Sequence, residues 1–131
     1  MFSNKLLKHS GKHMICDIKN IKNHALLNDV GKIKEVLDMI CEKYNYTILQ
    51  RVEHVFEPEG LTLLYLLSES HISIHTFPEK NYLALDIYTC REYSNNDTYL
   101  EIYEYIIGAF DADSEEPFII DRNFTTTETK N

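Results

Sequence analysis

The run Leu61-Thr62-Leu63-Leu64-Tyr65-Leu66-Leu67-Ser68-Glu69-Ser70-His71-Ile72-Ser73-Ile74-His75-Thr76-Phe77 reads as two strands joined by a turn. Residues 61–67 are almost continuously apolar, which predicts a strand buried on both faces. Residues 71–77 alternate instead. His71, Ser73, His75 and Phe77 fall on one side, and Ile72, Ile74 and Thr76 on the other. The connection is too short for a crossover, so the two strands pair antiparallel. Residues 78–81 turn the chain again into residues 82–89. There Leu83, Leu85 and Ile87 share one face, and Ala84, Asp86 and Tyr88 the other. Upstream, residues 46–56 alternate with Tyr46, Ile48, Gln50, Val52, His54 and Phe56 together, and Pro58-Glu59-Gly60 marks the next turn.

The flanks complete the pattern. Residues 14–18 form a first strand, with Met14, Cys16 and Ile18 on one face. Asn28 and Asp29 suit the N-cap of a helix whose apolar stripe is Val30, Ile33, Val36, Leu37, Ile40, Cys41 and Tyr44. Asn95-Asn96-Asp97 opens a second helix with the stripe Tyr99, Ile102, Tyr103, Ile106, Ile107 and Phe110, and residues 117–121 form a last short strand. The order strand, helix, four strands, helix, strand predicts an α+β fold. It is a two-layer sandwich, an antiparallel sheet with two main helices on one face, built as a single domain over residues 1–131. The uncovered sheet face stays partly apolar, which predicts a partner, most simply a second copy of the chain.

Charge and composition exclude several classes. Against 21 acidic side chains stand only 13 basic ones, a net charge of −8, so the basic patch of a nucleic-acid binder is not expected. No apolar run approaches the ~20 residues of a membrane span, and the Lys-rich start has no apolar core of a secretion signal. Cys16, Cys41 and Cys90 are odd in number and far apart, which argues against a disulfide framework. With no C-x-x-C pair, a structural zinc site is not expected either. The chain is expected to be cytoplasmic. His71 and His75 share a strand face, but nothing near them in sequence completes a ligand set, so no metal is expected.

The turn itself carries chemistry. It places the bond Glu69-Ser70 where one strand ends and the next begins. A serine hydroxyl can attack the carbonyl before it and turn amide into ester. A base can then eliminate the ester, leaving a carbonyl group made from the chain. The window Ser68-Glu69-Ser70-His71-Ile72-Ser73-Ile74-His75-Thr76-Phe77-Pro78-Glu79, closed by Asp86-Ile87-Tyr88-Thr89-Cys90, resembles the prokaryotic S-adenosylmethionine decarboxylase proenzymes. Their pattern reads S-E-S-H-x-x-I-H-T-[WFY]-P-E, then D-x-[FY]-T-C. Looser likeness extends back to Gly11-Lys12-His13 and the first helix.

The resemblance implies self-cleavage into a β chain of residues 1–69 and an α chain of residues 70–131. Ser70 becomes a pyruvoyl group that forms a Schiff base with the substrate amine. His75 matches the histidine that assists processing, and Cys90 the cysteine that protonates the product carbon. Phe56 matches an aromatic that stacks on adenine, with Phe77 at a second aromatic position that is commonly Trp. Glu79 matches a carboxylate for the ribose hydroxyls. Thr62 stands where relatives commonly carry Ser, and Arg91 where they often carry Gly. The implied reaction is decarboxylation of S-adenosylmethionine to the aminopropyl donor for spermidine. It takes place in a homodimer whose site pairs Ser70 and Cys90 of one protomer with Phe56, His75 and Glu79 of the other. Two alternatives remain open at this point. One is a pyruvoyl decarboxylase of ornithine or arginine, and the other is an uncleaved, non-catalytic homologue.

Overall fold

The computed structural model of the chain describes residues 11–68 and 70–123. The readings that fall on residues 1–10, on Glu69 and on residues 124–131 lie outside them. Six strands form one sheet: β1 (Gly11–Ile18), β2 (Ile48–Val55), β3 (Leu61–Leu67), β4 (Ser70–Phe77), β5 (Tyr82–Thr89) and β6 (Phe118–Arg122). Their order is β2-β3-β4-β5-β1-β6, and every pairing is antiparallel. Helices α1 (Val30–Lys43) and α2 (Asp97–Phe110) supply the second layer. The short turns predicted between β2, β3, β4 and β5 make these strands sheet neighbours. β1 slots in beside β5 and is flanked on its other edge by β6.

Local chemistry explains the helix boundaries. Asp29 is the N-cap of α1 and accepts a hydrogen bond from the Lys32 backbone N–H at 3.0 Å, satisfying one of the orphan donors of the first turn. At α2 the Asn96 side chain makes no capping bond; Asn95 Oδ1 accepts from Asp97 N–H at 2.9 Å instead. A short 3₁₀ turn, His24–Asn28, precedes α1 and buries Leu26 and Leu27. Every residue of the predicted α2 stripe is buried, as are Ile33, Leu37, Ile40 and Cys41 of α1. They pack on Met14, Cys16 and Ile18 of β1, Leu61, Leu63, Tyr65 and Leu67 of β3, Ile72 and Ile74 of β4, and Leu83, Leu85 and Ile87 of β5. At ~1.5–3 kcal/mol for each fully buried large apolar side chain, this single layer is the main source of stability.

Two expectations change. β3 is buried on one face only: Leu64 and Leu66 are 41% and 50% exposed, because both helices lie on the opposite side of the sheet. β2 does not keep one face throughout. A bulge between Ile48 and Gln50 puts Ile48 opposite Leu67 on the helix side, whereas Gln50, Val52 and His54 pair with Leu66, Leu64 and Thr62 on the open side. The open face therefore presents Val52, Leu64, Leu66, Ile15 and Phe118 as exposed apolar side chains.

Candidate active site

Ser70 opens β4 and lies opposite Leu67 at the hairpin end. β5 brings Cys90 to the same end, and the Cys90 backbone N–H donates to Ser70 Oγ at 3.3 Å. The two residues line a cleft of about 270 Å³ with Tyr46, Thr47, Leu67, Ser68 and Arg91. A hydroxyl that accepts one hydrogen bond from the backbone keeps its own proton to give away, as a serine nucleophile must. Glu69, the other half of the expected cleavage bond, lies outside the described residues.

The far end of β4 gathers a different set. Phe56, Thr62, His75, Phe77 and Glu79 line one cleft of about 390 Å³, together with Glu59, Gly60, Leu61 and Thr76. Thr62 and His75 are cross-strand partners, and Thr62 Oγ1 lies 2.8 Å from His75 Nδ1. Phe56 is 47% exposed, so it is not a core residue, and its ring meets His54 edge-on with centroids 4.6 Å apart. Phe77 stacks on Tyr82 at 5.4 Å and 25°. Gly60 is held at φ +97°, a conformation that side-chain-bearing residues rarely adopt, and its N–H donates to Asn28 Oδ1.

The five positions from Ser70 to His75, at ~3.3 Å per residue of strand, put the two clefts roughly 16 Å apart along β4. The structure thus brings Ser70 to Cys90, and His75 to Thr62, Phe56, Phe77 and Glu79. It does not bring His75 to the Ser70 of its own chain.

Comparison with known proteins places this arrangement. Residues 12–123 match the S-adenosylmethionine decarboxylase family. The chain belongs to that family. It is 37% identical over 99 residues to an S-adenosylmethionine decarboxylase proenzyme of Prochlorococcus marinus, covering 76% of this chain and 78% of the relative. It is 40% identical over 89 residues to one of Methanococcus aeolicus, covering 68% of this chain and 75% of the relative. The crystal structure of the adenosylmethionine decarboxylase from Aquifex aeolicus superposes with a TM-score of 0.77 at 26% identity, covering 95% of this chain and all of that one.

Some residues of the Ser70 cleft depend on supports that sequence patterns hide. Gly11 sits at φ +127°, where an added Cβ would lie 2.0 Å from the Thr89 carbonyl oxygen and 2.7 Å from Cys90 Cα. Only glycine lets β1 approach the end of β5 this closely. Tyr99, which looks like one more apolar stripe residue of α2, carries a buried hydroxyl that donates to the Lys12 carbonyl at 2.7 Å. With its single proton so used, that oxygen accepts from Thr89 N–H at 3.1 Å and from the Thr89 hydroxyl at 2.8 Å. Burial pushes the Tyr99 phenol up to about 12, so it stays protonated and keeps both roles. Tyr99→Phe removes the buried acceptor of the Thr89 N–H and hydroxyl and the donor to the Lys12 carbonyl, at a cost of ~1–3 kcal/mol. The expected result is a melting temperature lower by several degrees, together with slower turnover from the loosened strand that carries Cys90. An unchanged melting curve would contradict this clamp.

Arg91 turns its guanidinium onto the end of α1, donating to the Tyr44 and Asn45 carbonyls at 3.1 and 2.7 Å, and lies 5.1 Å from the Tyr46 ring centre. A cation is favourable at a helix C-terminus. Arg91 thereby ties the wall of the cleft to α1. The other two thiols sit in the core, where burial raises Cys16 to about 12 and Cys41 to about 11, whereas Cys90 is only partly buried.

Proposed function

We propose that the chain cleaves itself between Glu69 and Ser70 into segments 1–69 and 70–131, and that the product decarboxylates S-adenosylmethionine to the aminopropyl donor for spermidine. The working form is a homodimer in which each site draws on both copies. The observation that carries this reading is the division of the family's functional residues between two clefts at opposite ends of β4. Each cleft is chemically incomplete alone, and a second copy packed on the open face, through Val52, Leu64 and Leu66, supplies the missing half.

In this reading Ser70 Oγ adds to the preceding carbonyl. The partner's His75 then removes the Ser70 α-proton. For that task the lone pair must sit on Nε2. An Nδ1–H donated to Thr62 Oγ1, 2.8 Å away, accommodates this tautomer. Ser70 opening into a cleft beside Cys90 fits a group made from that residue. The pyruvoyl group supplies an electrophilic carbonyl that takes up the electrons freed as carbon dioxide leaves. Cys90 delivers the proton to the substrate carbon. Phe56 offers its exposed face to the adenine, while Phe77, backed by Tyr82, closes the other side. Glu79 accepts from the ribose hydroxyls, and with Glu59 favours a sulfonium cation in the cleft.

No helix among the described residues is long and apolar enough to cross a membrane. The thiols of Cys16, Cys41 and Cys90, none of them in a disulfide, suit a reducing compartment, and this reading puts the enzyme in the cytoplasm with neither nucleic acid nor membrane as partner.

Carboxyl-labelled S-adenosylmethionine should release labelled carbon dioxide with the purified, cleaved protein, and ornithine and arginine should not. Release from either amino acid alone would overturn the substrate assignment. Sharing across copies is tested by co-expression. His75→Ala and Ser70→Ala chains should each stay whole when expressed alone. Expressed together, the His75→Ala chain should be cut, because its Ser70 meets an intact His75 from the other chain. Failure of the mixture to cut would place the processing base within one copy.

A further inference from the structure

On the open sheet face, at the Ser70 end of the central strands but outside the lining of both clefts, lies a cluster that neither the cleavage nor the decarboxylation uses. β5 runs between β1 and β4, and Tyr88 is paired with His13 on one side and His71 on the other. Asp86 lies two residues earlier on the same face of β5. Backbone pairing of three adjacent strands, not the reach of long side chains, therefore makes these groups converge. One donor atom from each of His13, His71 and Asp86 lies within 4.8 Å of the others. Each Asp86 oxygen addresses a different imidazole. Oδ1 is hydrogen-bonded to His13 Nε2, and Oδ2 is 3.5 Å from His71 Nε2. All three residues are partly buried.

We propose that His13, His71 and Asp86 form a binding site for a divalent transition-metal ion of the zinc or cobalt type. Two imidazoles and one carboxylate are the donors such ions prefer. Magnesium and calcium favour all-oxygen sets. Three protein ligands leave a fourth position for water. Along its own strand His71 shares a face with His75, and residues near it in sequence complete no ligand set. The ligands come instead from the two neighbouring strands.

Arg122 controls the site. Its Nη1 lies 2.9 Å from His13 Nδ1, and its guanidinium sits 5.4 Å from the Tyr88 ring centre. An arginine can only donate, so His13 Nδ1 accepts and Nε2–H is given to Asp86. A metal on Nε2 moves the ring proton to Nδ1, where it faces another donor. Arg122 is exposed on the edge strand β6 and must swing aside as the ion binds. Glutamine at residue 122 could instead accept from Nδ1–H through its amide oxygen, the usual support for a ligating histidine.

The placement has a consequence that rests on the proposed cleavage. His71 follows Ser70 directly, and His13 lies in segment 1–69 whereas His71 and Asp86 lie in segment 70–131. A bound ion would tie the two segments together beside the residue that is processed.

The test uses the intact assembly stripped with EDTA. Titrated Co²⁺ should bind once per chain and give visible d–d absorption without a thiolate charge-transfer band, which excludes Cys90 as a ligand. Zn²⁺ should displace it. His13→Asn and Asp86→Asn should each weaken binding by 100-fold or more, and Arg122→Gln should tighten it about 10-fold, the scale of outer-sphere effects. The same titration of uncleaved Ser70→Ala protein should also show binding, so this site and the processing reaction stand or fall separately. Absence of both the cobalt spectrum and any heat of Zn²⁺ binding at millimolar ion would overturn the proposal. So would cobalt binding unchanged in both ligand variants.

Discussion

Ser70→Ala protein should run as one uncleaved band of 131 residues however long it is incubated, while the parent separates into two fragments, the smaller with a blocked N-terminus. Alanine keeps the Cβ and the strand but removes the only atom able to attack the preceding carbonyl. The Cys90 N–H loses its 3.3 Å acceptor, yet it lies beside an open cleft where water replaces the hydroxyl, so the fold is retained. Decarboxylation should be lost completely, since without cleavage no electrophile is made. Intact-mass measurement decides the matter. A Ser70→Ala sample that splits after residue 69 would remove serine from the reaction.

Cys90→Ala should process normally and then fail in catalysis. A placed general acid contributes about 10²–10⁴-fold, and the loss in kcat should fall in that range. Residual turnover should inactivate the enzyme. Once carbon dioxide has left, the electrons are shared between the substrate carbon and the enzyme's own group, and only a donor held near the former directs the proton there. Cys90→Ser retains shape but has a far weaker acid, so it should be impaired as well. Progress curves that bend to zero with substrate still present, for the variant and not for the parent, are the expected readout. Linear curves at the parental rate would reduce Cys90 to a small strand-end hydrophobe.

Much of this arrangement was visible in residue order, and the reason differs from element to element. The stripe from Tyr99 to Phe110 and the alternation of His71 to Phe77 are local periodicities, so side-chain faces followed from counting. β3 misled because an apolar run reports only that both faces avoid charge. Whether a second layer covers Leu64 and Leu66 depends on where the helices pack. The bulge at Ile48 and Gln50 was equally hidden, since one extra residue leaves no mark on composition and shifts everything before it to the other face.

Ser70, His75 and Cys90 stand out because residues 68–90 resemble a known family, and their grouping too is what that resemblance implies. The physical basis of the grouping is in the register of β4 against β3 and β5, which sets Cys90 beside Ser70 and His75 beside Thr62 some 16 Å away. Tyr99 and Gly11 act through single atoms, a hydroxyl oxygen and an absent Cβ, whose partners are 87 residues off in one case and across β5 in the other. His13, His71 and Asp86 meet for the same reason. Residue order sets which strands form and what each displays, whereas pairing between strands distant in the chain sets which displayed groups come within bonding distance.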